Sequence, residues 1–180
     1  METLIIHPDD RSTDFLRPIY ENIENKTVIT GSISRDDLRD LIKHHDQIIM
    51  LGHGSPRGLF NMSRNFDRGY IIGAAEVDVL RNKKLVAVWC HADKFMEEYQ
   101  LPGLYSGMFI SEVSEASYYN IKTTQDEVDE SNDEFARMLG KQLAEEPDKD
   151  KIWSSVKEEY SAIGKKNIIA EYNSSRWYTR

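Results

Sequence analysis

Short apolar runs rich in Ile and Val alternate along this chain with stretches of helical period, and no segment repeats. The first run, Leu4–His7, leads into a predicted helix over Thr13–Ile23, with Phe15, Leu16, Ile19 and Ile23 on one face and Thr13 as N-cap. Lys26–Thr30 is a second run, closed by Gly31. Ser34 is then placed to cap a helix whose buried stripe is Leu38, Leu41 and Ile42, with Asp37 completing a capping-box variant. Gln47–Leu51 and Leu85–Trp89 are apolar without alternation, as fully buried strands of a parallel sheet are. Ala74–Leu80 reads as a crossover helix between them. Tyr105–Ser111 is a fifth strand, Asp126–Glu145 and Lys151–Ile163 are helices parted by Pro147, and Ile168–Tyr172 is a last strand.

Strands alternating with helices call for an α/β fold, a three-layer sandwich with a mainly parallel central sheet flanked by helices. At 180 residues the chain matches one domain of about 100–200 residues. Residues 1–115 hold the α/β core, and residues 116–180 add a helical extension packing on the same domain.

Composition narrows the classes. A single Cys excludes an internal disulfide and a Cys-rich metal cage. METLIIHPDD turns charged after too few apolar residues for a signal-peptide core, and no stretch nears the ~20 apolar residues of a membrane span. A soluble, cytoplasmic protein is expected, with no membrane partner. The formal charge is −8 and lies in the second half: residues 1–90 carry 13 acids and 12 bases, residues 91–180 carry 18 and 11. That balance disfavours nucleic acid, whose phosphates need clustered Lys and Arg. Six acids lie between Asp126 and Glu134, as a solvated helix start or as a surface that attracts basic partners.

Candidate chemistry lies where the buried strands end, since open α/β sheets bind ligands outside the carboxyl ends of their strands. The third strand runs into Gly52-His53-Gly54-Ser55 and the fourth into Cys90-His91-Ala92-Asp93. Neighbouring strands lie ~4.8 Å apart, which brings an imidazole and a thiol within reach of each other. A paired histidine raises the thiolate fraction that a cysteine nucleophile needs. Gly54, without a Cβ, allows a close approach to a developing oxyanion. His precedes Cys, which excludes papain-like and glutamine-amidotransferase-like enzymes.

The blocks IIMLGHGS (Ile48–Ser55) and LVAVWCHAD (Leu85–Asp93) resemble those of the caspase-like (clan CD) cysteine peptidases: caspases, metacaspases, gingipains, clostripain and legumains. The resemblance covers about residues 1–115. It implies a cysteine endopeptidase with Cys90 as nucleophile, His53 as general base, and the amides of Gly54 and Cys90 as oxyanion hole. It implies a peptide or protein substrate and no metal or organic cofactor. The caspase signature around the nucleophile is absent, since Val88-Trp89 precede Cys90 and His91 follows it, so a strict Asp-cutting caspase is not expected.

Family pockets select by opposite charge, and the rim loops carry Asp10, Arg11, Asp93 and Glu112 as substrate-binding candidates. Asp9, Asp10, Asp93, Glu112 and Glu115 outnumber Arg11 and Arg57, which favours a basic side chain at the cleaved position. Asp93 is equally placed to cap a helix from Lys94. His44 and His45 suit a helix C-terminus, and no carboxylate or Cys stands at ligand spacing beside them or His7, so no metal site is expected. Asn61–Gly69 is expected to be a polar surface loop. Taken alone, a Cys after a buried strand is a small hydrophobe. The alternative function is therefore a non-catalytic caspase-like or flavodoxin-like protein-binding module. Oligomeric state is not legible. A nucleotide-binding α/β protein fits poorly, because Pro-Asp-Asp follows the first strand in place of a Gly-rich loop.

Overall fold

A computed structural model describes residues 1–62 and 69–180. In chain order the strands are β1 (Thr3–Ile6), β2 (Lys26–Ile29), β3 (Gln47–Leu51), β4 (Gly54–Ser55), β5 (Gly58–Phe60), β6 (Tyr70–Ile72), β7 (Lys84–Val88), β8 (Leu104–Ser106) and β9 (Trp177–Thr179). The α-helices are α1 (Pro18–Glu21), α2 (Arg35–His44), α3 (Val77–Leu80), α4 (Ala92–Glu98), α5 (Val113–Tyr118), α6 (Gln125–Glu145), α7 (Lys149–Gly164) and α8 (Ile168–Ser174). The main sheet has the order β2-β1-β3-β7-β8-β9, parallel through β8, with β9 antiparallel on the edge. The parallel part follows the 2-1-3-4-5 order of flavodoxin-like doubly wound sheets. A separate antiparallel sheet, β4-β5-β6, is built on the segment leaving β3.

Successive strand residues point to opposite faces, and here both faces are covered. Ile5, Ile49, Leu51, Val86 and Val88 pack with Ile19 of α1, Phe135 and Leu139 of α6, and Val156 and Tyr160 of α7. Leu4, Ile6, Ile48, Met50, Leu85 and Ala87 pack with Leu38 and Ile42 of α2, Leu80 of α3, and Phe95 and Met96 of α4. This two-sided burial is why the central strands show no polar alternation. The result is the expected three-layer α/β sandwich. Among the described residues no helix is long and apolar enough to cross a membrane.

Ser34 caps α2 by accepting from Asp37 N–H, and His44 and His45 turn Nδ1 back onto the carbonyls of Asp40 and Leu41 at 2.7 Å. Other expectations need correction. Thr13–Ile23 is not one helix. A 3-10 helix, Arg11–Leu16, is capped by Asp10, and α1 restarts at Pro18, a residue with no N–H for a helix interior. Ile168–Tyr172 is helical rather than a strand, because the Asn167 side chain caps the amides of Ile169 and Ala170. The closing strand is Trp177–Thr179, and the fifth parallel strand is only Leu104–Ser106. The small sheet β4-β5-β6 has no counterpart in the hydrophobic pattern, its strands being too short to show a period. Most of the Asn61–Gly69 loop lies outside the described residues.

His7, at the end of β1, is buried and wired on both sides. Thr13 donates its hydroxyl proton to Asp10 C=O, so His7 Nε2 donates to Thr13 Oγ1 (3.1 Å) and Nδ1 accepts from Tyr20 OH (3.1 Å). The ring is neutral, its pKa lowered to about 4 by burial and, secondarily, by Arg17. An unfolded His titrates near pH 6.5, so the stability this ring contributes is full above that pH and lost on acidification towards 4. We expect a loss of about 3 kcal/mol between pH 7 and pH 4, read by urea denaturation, and a clearly smaller loss in His7→Gln. Gly140 of α6 lies against α1, where a Cβ would overlap the Pro18 carbonyl oxygen. Alanine gains about 1 kcal/mol of helix propensity, but backbone here cannot move aside cheaply. Gly140→Ala should therefore lower stability, by about 1–2 kcal/mol in the same assay.

Candidate functional site

The segments leaving β1, β3, β7 and β8 at their carboxyl ends meet along one rim. Beneath it is a chamber of about 30 Å3, the room of one water, walled by Phe15, Gly52, His53, Trp89, Cys90 and Phe109 among others. Phe15, Ser111 and Asn132 are shared with an outer groove of about 460 Å3, whose lining adds Arg11, Ser12, Glu112, Asp129 and Asp133. The helical second half builds this outer wall. Asn173 of α8 holds Ile110 through both its N–H (2.8 Å) and its C=O (2.9 Å), and Asn132 of α6 donates to Ser111 C=O at 3.0 Å.

The neighbouring register of β3 and β7, with Leu51 beside Val88, brings His53 and Cys90 to the same chamber. Their chemistry is separate. His53 Nε2 lies 2.6 Å from Ser12 Oγ, and Ser12 gives its one hydroxyl proton to Asp10 Oδ1 at 2.6 Å, so Nε2 is the donor to Ser12. Among the described residues no hydrogen bond joins His53 to Cys90. Asp10 is held below the usual carboxylate range, chiefly by the Ser12 hydroxyl and amide. Ser12, which no spacing or motif singles out, is the link between the β1 and β3 segments. It directly follows Asp10 and Arg11, which were expected at this rim, but its partner is visible only in three dimensions.

Cys90 lies two residues beyond β7 and precedes α4, with His91 in the left-handed region (φ 67°) turning the chain. A helix N-terminus favours thiolate by about 0.3–1 kcal/mol. Burial, followed by the carboxylates of Glu115 and Glu112, outweighs it and pushes the thiol up to about 12. Against an ordinary thiol at 9.0 this is about 4 kcal/mol disfavouring thiolate. The sulfur is therefore a neutral thiol at physiological pH.

Other predicted residues are spread out. Gly54 lies within β4, where a Cβ would overlap the Trp89 indole, so its smallness serves packing. Trp89 Nε1 donates to Ser55 C=O at 3.1 Å and fixes β4 over α4. Arg11 and Glu112 line the outer groove, but Asp10 and Asp93 do not line either part of the cleft. Asp93 sits buried in the first turn of α4, 3.6 Å from Lys94 Nζ.

No protein-family model matches the chain, and no curated protein does. Solved structures are similar to it, two of them as follows. One is an NADPH-quinone reductase from P. pentosaceus, 18% identical, covering 82% of this chain and 100% of that one at a TM-score of 0.40. The other is Smu.1420 from Streptococcus mutans, 13% identical, covering 78% and 100% at a TM-score of 0.41. The caspase-like assignment, and with it cysteine endopeptidase activity at a His53/Cys90 dyad, is corrected on the site itself. The physical reason lies in the site: the thiol is protonated and crowded by acids, and among the described residues no hydrogen bond joins it to the imidazole.

A neutral thiol alkylates slowly. Iodoacetamide at pH 8 should label Cys90 at least about a hundredfold more slowly in the folded protein than in urea, followed by intact mass; equal rates would contradict the burial of the sulfur.

Proposed function

We propose that this chain is a non-catalytic, flavodoxin-like protein-binding module whose rim cleft takes a basic segment of a partner protein. The observation that carries the reading is the charge of the outer groove, where Glu112, Asp129 and Asp133 face a single Arg11. Partial commitments leave this charge free to act: Asp133 meets Arg137 only at 3.8 Å on the exposed surface, and Asp129 accepts a neutral amide from Gln125. Phe15 gives an apolar floor on which the stem of a Lys or Arg can lie while its head meets the acids. The chamber beneath is small, about 30 Å3, which suits a chain docked on the surface above it.

A dinucleotide of the kind named for the quinone reductase does not fit the corresponding place. Doubly wound sheets hold phosphates where the strand order reverses, at amides following the first strand. Here that turn is His7-Pro8-Asp9-Asp10, and the Ser12 amide is already taken by the Asp10 carboxylate at 2.9 Å. The Asp10 carboxylate at this turn would repel a phosphate.

The test is fluorescence anisotropy with a labelled Lys/Arg-rich peptide and a Glu-rich control of equal length. The basic peptide should bind more tightly, weaken as salt rises, and lose about tenfold in affinity in the Asp129→Asn/Asp133→Asn protein, while Cys90→Ala binds as the parent does. Equal binding of both peptides would overturn the proposal, as would cleavage of the basic peptide that Cys90→Ala abolishes.

A further inference from the structure

A second cavity lies at the opposite end of the strands from the rim. It occupies about 300 Å3 between the amino ends of β7 and β8 and the elbow joining α6 to α7. Val86, Leu104, Leu143 and Ile152 wall its interior, all nearly inaccessible to solvent. The five residues of β7, at ~3.3 Å each, separate its mouth at Lys84 from Cys90 beyond Val88. The two sites are therefore distinct, and binding at this cavity is independent of the function proposed for the cleft.

The mouth has an uncommon charge for a chain of −8. Lys83, Lys84 and Lys149 border the cavity against one acid, Glu146. Three of these are already engaged. Lys83 Nζ donates to the carbonyls of Lys43 and His45, Lys149 Nζ meets Asp150 at 2.7 Å, and Glu146 meets Lys151 at 3.7 Å. Lys84 is exposed, and its ammonium makes no hydrogen bond or ion pair among the described residues. A net positive mouth with the uncommitted Lys84 ammonium opens on a space of about 300 Å3 that offers few polar partners. Water is poorly held in such a space, and an apolar body fills it with gain. The size stands at the lower end of the range of ligand pockets, about 300–1,000 Å3.

We propose that this cavity binds a small amphipathic carboxylate, an aliphatic chain of medium length whose tail lies among Val86, Leu104, Leu143 and Ile152 and whose head meets Lys84. Charge complementarity selects the acid over the neutral alcohol of the same chain, and the apolar interior selects a chain over a polar anion.

Titration calorimetry of the full chain with decanoate, decanol and acetate tests this. Decanoate should bind saturably at one site and acetate should not. Lys84→Glu should weaken decanoate at least about fivefold and leave decanol unchanged, and Leu143→Phe, which fills the cavity, should weaken both. No saturable decanoate binding by the parent protein would overturn the proposal. Unchanged decanoate affinity in Lys84→Glu would also overturn it, and that variant alone decides the matter should Leu143→Phe fail to fold. Binding of the basic peptide at the rim is unaffected in Lys84→Glu, so the two proposals fail separately.

Discussion

The central strands β1, β3 and β7 are buried on both faces at once, and the rest of the molecule is arranged around that constraint. A backbone removed from water on both sides can satisfy its amides and carbonyls only within the sheet ladder. The ladder therefore stops where the strands emerge, and chemistry collects at the two rims. Each rim has a distinct character because different elements close it. At the carboxyl rim the closing segments bring hydroxyls, an imidazole, a thiol and acids. At the amino rim the elbow between α6 and α7 leaves apolar walls and lysines.

Burial also decides the state of the titratable groups. His7 and Cys90 both follow buried strands, and both are driven to their neutral forms, the histidine by losing its proton and the thiol by keeping it. The same physical cause gives opposite shifts, because desolvation opposes the charged form whatever its sign. For Cys90 the acids Glu115 and Glu112 add to it, and no imidazole opposes them. Proximity of His53 and Cys90 along a shared wall is thus a consequence of strand order, while activation would require a hydrogen bond between them that is absent among the described residues.

The C-terminal half does more than cover one face. α6 carries Phe135 into an aromatic group with Phe109, Tyr160 and Trp177, ring centroids 4.9 to 5.4 Å apart. α8 positions Asn173, whose amide stands in for a strand partner of Ile110 and holds the segment after β8 in place. The groove wall containing Ser111 and Glu112 is thereby built by residues more than sixty positions further along the chain. Acids that read as a solvated helix start, Asp129 and Asp133, become the lining of a cleft because α6 is docked against that wall.

Two properties were written in the one-dimensional pattern. The uninterrupted apolar runs at Gln47–Leu51 and Leu85–Trp89 implied strands buried on both faces, and Ser34 with its acids and histidines marked both ends of α2. Both depend on neighbours a few residues away, so sequence spacing records them. Local signals that were present but outvoted by period account for the misplaced elements: Pro18 inside a helical stripe, and Asn167 before Ile168. The state of the candidate site was not recorded in any spacing. Whether Cys90 faces an imidazole or two carboxylates, and whether His53 meets a thiol or a serine, is set by contacts between segments distant along the chain. Those contacts arise only when the layers pack, and desolvation, which governs both His7 and Cys90, is a property of the packed interior alone.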